Sequence, residues 1–155
     1  MDRRFRFSGI RAIFITIAIG AVVAAVILLL LHFRGAESPR LTAGSLIIPV
    51  SIADTDDSRE QGLSGTPSLL PSDGELFIFD LPGSYGFWMK DMHYALDFVW
   101  IGPDMKIVDI TPNVSADTYP KIFYPSVPVL SVLEVNAGFS THHNLFVGEQ
   151  LHLER

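Results

Sequence analysis

Apolar and polar positions divide the chain into two regimes. From Ala12 to Leu31 the residues run AIFITIAIGAVVAAVILLLL without a charge. At 1.5 Å rise per residue such a run covers about 30 Å as a helix, the thickness of a bilayer's hydrocarbon layer. It is apolar all round, whereas a core helix at a protein surface keeps a polar stripe. Ala12–Leu31 therefore reads as a transmembrane helix.

Past Gly44, continuous apolarity gives way to alternation. Leu46, Ile48, Val50 and Ile52 recur at every second position, the period of a strand. Glu75 to Asp80 is apolar on both faces and reads as a central strand. Short strands are also expected over Tyr85 to Lys90, Leu96 to Ile101, Lys106 to Thr111, Val129 to Asn136 and Gln150 to Glu154. Gly102-Pro103-Asp104-Met105 supplies a turn between two of them. Asp57 and Glu60 have capping-box spacing and Gly62 suits a helix stop, which predicts a short helix. Ser140 to Asn144 has room for a helical turn. Pro112 to Pro128 holds four prolines together with Tyr119, Phe123 and Tyr124. It reads as an ordered loop covering one end of a barrel. About seven short strands with regular turns indicate an all-β domain of β-sandwich or jelly-roll type with one or two short helices, preceded by the transmembrane helix.

Charge orients this arrangement. Residues 1–34 carry five Arg against one Asp, and residues 35–155 carry six Lys or Arg against sixteen Asp or Glu. Arg3, Arg4, Arg6 and Arg11 precede the apolar run, so the positive-inside bias keeps the N-terminus cytoplasmic. The expected organisation is a basic cytoplasmic tail over 1–11, the membrane helix over 12–31, a linker over 32–44 and an extracytoplasmic β-rich domain over 45–155. The protein would sit in the cytoplasmic (inner) membrane as a single-pass species with its C-terminal domain periplasmic. A cleaved signal peptide is the alternative. Its apolar core is ordinarily shorter, and Pro39 follows the Ala36-Glu37-Ser38 site. Gly20 with Ala24 has the spacing that lets membrane helices approach, but the oligomeric state stays open.

Composition removes several chemistries. There is no cysteine, hence no disulfide, thiol nucleophile or lipidated cysteine. An acidic far-side domain does not suit nucleic acid. Adjacent His142 and His143 diverge on either a helix or a strand, and no H-E-x-x-H occurs. The Asp54-Asp56-Asp57 cluster lacks the glycine and distal Glu of a calcium loop. No metal or cofactor is expected. Asn113-Val114-Ser115 is a glycosylation sequon that matters only in a host with that machinery.

The most distinctive stretch is Phe87-Trp88-Met89-Lys90-Asp91-Met92, followed by Leu96-Asp97-Phe98. A hairpin centred between His93 and Tyr94 would set Lys90 opposite Asp97 and Trp88 opposite Val99, forming a small polar site beside an indole. The same pair can also be an ordinary cross-strand ion pair. Glu134 and Asn136 share one face of an apolar strand and need partners if buried.

The order Gly62-Leu63, Asp73-Gly74, Leu76-Phe77-Ile78-Phe79, Phe87-Trp88-Met89-Lys90, Leu96-Asp97, Leu133-Glu134-Val135-Asn136-Ala137-Gly138 and Gly148 resembles domain-of-unknown-function family 192, from about Ser45 to Leu153. The resemblance implies a jelly-roll-type sandwich, often behind a signal or membrane segment, and no reaction. Ser64 and Glu75 stand where Met is usual in that family, and Asp91-Met92 where Asn-Thr is usual.

The reading that follows is a non-catalytic binding module for a small polar ligand, sugar or peptide of the cell envelope, with Trp88, Lys90, Asp97, Glu134 and Asn136 as ligand-binding candidates. One alternative is an envelope-acting hydrolase using Asp97 or Glu134 as acid or base. Another is a structural partner in a membrane complex that docks through the proline-rich loop.

Overall fold

The computed structural model describes residues 19, 20, 22–28 and 38–155. Contacts divide the chain into two units, Met1–Glu37 and Ser38–Arg155. In the first, the described residues are helical. Among the described residues no helix is long and apolar enough to cross a membrane. The membrane segment expected over 12–31 lies largely outside them.

The second unit begins with β1 (Arg40–Ala43) and β2 (Leu46–Ala53), which form an antiparallel hairpin. Gly44 turns it with a φ of +57°, a conformation that costs glycine nothing. The linker expected over 32–44 is corrected here. Its last residues are a strand, and the glycine taken as linker is a hairpin turn. A short helix, α1 (Asp56–Gln61), follows. Thr55 and Ser58 cap it reciprocally, Ser58 N donating to Thr55 Oγ1 at 3.2 Å and Thr55 N to Ser58 Oγ at 3.0 Å. The cap thus sits two residues before the expected Asp57, and Gly62 ends the helix as expected.

The remaining strands are β3 (Gly74–Gly83), β4 (Leu96–Ile101), β5 (Ile107–Val114), β6 (Val129–Asn136) and β7 (Leu151–Glu154). A 3-10 turn at Ala116–Thr118 and a helical turn, α2 (Phe139–His142), interrupt them. All seven strands form one sheet in the order β5-β4-β6-β3-β2-β1-β7. The β2–β3 pair is parallel and the other pairings are antiparallel. A parallel pair needs a long crossover, and α1 with its following loop supplies it.

The sheet is curled. Lys106 bridges Gln150, Ile107 N donates to Glu149 O at 3.0 Å, and Leu151 N donates to Met105 O at 2.9 Å. These bonds bring the two ends of the strand order together. The inner face takes a buried aliphatic residue from each strand: Leu41, Ile48, Leu76, Val99, Ile107, Leu133 and Leu151. The outer face is aromatic, with Phe77, Phe98 and Trp100 under Phe87, Met89 and Leu63 from the covering segments. The expected two-sheet sandwich is therefore corrected to one mixed sheet with loops in place of a second layer.

The strand expected over Tyr85 to Lys90 does not form. Only Phe87 bridges, exchanging N–H···O bonds with Phe123 at 2.9 and 2.8 Å. The alternation of that segment has another cause. Phe87 and Met89 point down onto the outer face and Trp88 and Lys90 point out, so the period-two pattern belongs to a strap lying across the sheet. The proline-rich loop is ordered, as expected, and packs beside the strap. A Cβ on Gly86 would meet Ile122 Cγ2 at 2.6 Å.

Candidate functional site

The outer face carries an unusual pair. Glu75 on β3 is the register partner of Glu134 on β6, so both carboxyls rise from the same side of neighbouring strands. Glu75 is 9% exposed and Glu134 5% exposed. Glu75 Oε2 is buried without a hydrogen-bond partner. Burial raises the Glu75 carboxyl to about 7. Burial and the neighbouring Glu75 charge push Glu134 well above the usual carboxylate range. Like charges this close cannot both be formed cheaply in an apolar setting, so the pair holds protons near neutrality. The Tyr94 hydroxyl is also raised, first by burial and then by the charges of Glu134 and Glu75, and it lies 2.7 Å from Thr66 Oγ1.

Above the pair is a cavity of about 310 Å³, at the small end for a ligand site. Its walls come from α1 and the Gly62–Ser64 loop on one side, Phe77 and Phe79 on β3, the strap from Tyr85 to Trp88, and Glu134. The aromatic packing is specific. Phe87 meets Phe77 edge-on at 4.9 Å between centroids and Trp100 edge-on at 5.5 Å, and Tyr85 stacks on Phe79 at 3.5 Å. Gly62 thins the wall over Glu75: a Cβ there would lie 2.9 Å from Phe77 Cζ and 3.8 Å from Glu75 Oε2. Arg59 also lines the cavity, with its guanidinium already engaged. It donates to Asp54 O at 2.8 Å, Ile78 O at 2.7 Å and Asp56 Oδ1 at 2.7 Å, and lies over the Phe79 ring.

The five residues singled out from sequence do not converge. Trp88 and Glu134 reach the cavity. Lys90 is exposed and lines, with Trp88 and Asp91, a second and more polar hollow beside it. Asp97 is fully buried and accepts three backbone N–H bonds, from Asn113 at 2.8 Å, Gly138 at 3.0 Å and Ser140 at 2.9 Å. The proposed Lys90–Asp97 pairing is thus corrected. β4 pairs with β5 and β6 rather than with the strap, so the hairpin that would face Trp88 to Val99 is absent. Asn136 donates to Leu69 O at 3.2 Å and Leu70 O at 3.0 Å, tying down the crossover loop. Among the described residues no group of three or more His, Asp or Glu is placed to hold a metal ion.

Glu75 was missed as a site residue. The signal was present, because each of two strongly apolar strands carries one glutamate. Only the β3–β6 register, set by residues some sixty apart, puts the two side by side.

The match to known families runs over the same architecture. Residues 40–153 fit the DUF192 model, described as "Uncharacterized ACR". The chain belongs to the DUF192 family. No protein of curated function matches it. Among solved structures, this DUF192 chain is similar to a protein of Sinorhizobium meliloti 1021 described as a candidate transcription regulator. That match has 30% identity and a TM-score of 0.67, and covers 76% of this chain and 97% of the other. It is also similar to a protein of unknown function from Novosphingobium aromaticivorans DSM 12444, at 24% identity and a TM-score of 0.67, covering 74% and 82% of the two chains. The second likeness speaks to the DUF192 fold alone.

Proposed function

We propose that the DUF192 domain is a non-catalytic binding module of the cell envelope, held at the outer face of the cytoplasmic membrane by the segment over 12–31, and that its ligand enters the aromatic cavity. The observation carrying this reading is a small hollow walled by Phe77, Phe87 and Trp88 and lined by the Glu134 carboxyl, whose register partner Glu75 keeps a buried oxygen without a donor. Aromatic walls with a few convergent polar groups suit a small ligand with a flat or apolar body, a sugar ring included. The regulator description of the Sinorhizobium protein suggests no DNA role here, because residues 35–155 carry ten more acidic than basic side chains.

Thermal-shift screening of the full-length chain in mild detergent, against envelope sugars, short peptides and small aromatic compounds, tests the cavity. A ligand that binds the folded state raises Tm by mass action. Trp88→Ala should abolish the shift while leaving the unliganded Tm nearly unchanged; a shift that survives it places the ligand elsewhere. A tag fused after Arg155 should be cleavable by protease added outside the cytoplasmic membrane. Cleavage only from the cytosolic side would overturn the topology.

A hydrolase is favoured by one observation, the raised Glu134 carboxyl at a cavity with the raised Glu75 as its register partner. In that reading Glu134 is the acid and Glu75 its partner, and Asp97 drops out because its oxygens are committed to the backbone. Turnover of chromogenic glycosides or esters that is lost in Glu134→Gln would select it over binding alone.

A further inference from the structure

We propose that the cavity takes a protonated primary amine with a compact apolar body, its ammonium on the Glu75–Glu134 carboxyls and its body between Phe77, Phe87 and Trp88. The inference rests on the cavity being a binding site and names the chemistry of its ligand.

Three observations point the same way. Glu75 Oε2 is a buried acceptor without a donor, behind the lining residue Gly62 and beside Glu134, and such an atom costs stability until something donates to it. An ammonium brings three N–H donors, against the single donor that one shared proton gives the two carboxyls. The two carboxyls are register partners, so each negative charge raises the cost of the other. A cation relieves that repulsion, a neutral hydroxyl leaves it unchanged, and an anion adds to it. The walls present aromatic rings, whose electron-rich faces attract a cation in a desolvated site.

Arg59, the one lining cation, has its guanidinium engaged by Asp56 Oδ1 and by the Asp54 and Ile78 carbonyls, and Glu60 from the same helix adds a negative charge at the wall. The volume of about 310 Å³ limits the guest to a small monoamine rather than a peptide chain. Gly62 contributes by omission, since a side chain there would close over Phe77 and the Glu75 carboxyl.

The proton balance gives the reading a signature. Two titratable groups interact with Glu75, Glu134 from β6 and Tyr94 from the segment before β4, while Arg59 and Glu60 from α1 line the cavity itself. The proton that leaves comes from the carboxyl pair. Amine binding therefore releases protons below the amine's own pKa and tightens as pH rises through 7.

Isothermal titration of the full-length chain in nonionic detergent, at pH 6 and pH 8, with phenethylamine, 2-phenylethanol and phenylacetate decides the matter. The expected result is phenethylamine binding about tenfold or more tighter than 2-phenylethanol at pH 8, no phenylacetate binding, and amine affinity falling about tenfold at pH 6. Glu75→Gln and Glu134→Gln should bring the amine down to the alcohol. Glu75→Met, which carries the residue usual in the family, serves if either amide variant fails to fold. Equal binding of amine and alcohol, unchanged by these substitutions, overturns the amine inference and leaves the aromatic cavity standing. Binding of none of the three overturns the amine inference, and the thermal-shift screen then decides the cavity by itself.

Discussion

Two places on the same domain bury carboxyls, and they treat them oppositely. At the Asp97 corner, the end of β5 and the start of α2 each turn backbone N–H groups onto one side chain, and three donors meet two oxygens. At the Glu75–Glu134 floor no backbone N–H arrives, and the carboxyls have each other and an aromatic ceiling. The first arrangement is complete, and its product is shape. The second is incomplete, with Glu75 Oε2 left without a protein donor. Burial of an acid says little until its donors are counted.

The difference can be broken most severely at Asp97. Asp97→Ala orphans three backbone N–H groups, each costing about 1–3 kcal/mol, so urea unfolding should show a loss of about 4 kcal/mol or outright failure to fold. A loss under 1 kcal/mol would remove Asp97 from the structural side of the comparison.

The carboxyl floor should respond to pH instead. The folded chain raises Glu75 from 4.5 to about 7, so it keeps a proton that the unfolded chain gives up. Stability is then highest below pH 4.5, as far as this group is concerned, and is lost as pH rises through 7. Through Glu75 alone, unfolding free energy should fall by on the order of 2–3 kcal/mol between pH 5 and pH 8. In Glu75→Met that share of the slope should vanish while Glu134, raised chiefly by its own burial, keeps a slope of the same sign, and the variant should be more stable than the parent at pH 8. A parallel slope in parent and variant would mean that Glu75 titrates normally.

Smaller effects sharpen the contrast. Asn136→Ala removes two hydrogen bonds to the Leu69 and Leu70 carbonyls, and should cost about 1–2 kcal/mol by urea unfolding with the pH slope intact. Lys90→Ala, at an exposed position, should change stability by no more than about 0.5 kcal/mol and leave cavity binding untouched. A larger loss would restore a role for Lys90 that its surroundings do not suggest.

Period-two alternation made most of the sheet readable. β2, β4, β6 and β7 lie where their apolar positions recur, and Gly102 to Met105 turns β4 into β5 as its composition requires. The same rule misled at Tyr85 to Lys90, because a strap lying flat on a sheet alternates as a strand does. β1 was too short for a pattern to show. The site was half legible for a related reason. Glu134 stood out as a charge in an apolar run, but Glu75 gained meaning only once β6 was known to lie between β3 and β4. That order is a long-range fact that no local window contains. It also dissolved the Lys90–Asp97 site, which assumed that neighbours in sequence pair in space.

The junction of Lys106 with Gln150 has a practical corollary. β7 is four residues at the far terminus, yet it lies along β1 on one side and reaches the start of β5 on the other. A truncation before Glu149 would expose two unpaired strand margins at once and uncap the aliphatic interior at Leu41. Such a shortened chain should be recovered as aggregate, because bare margins recruit one another between molecules.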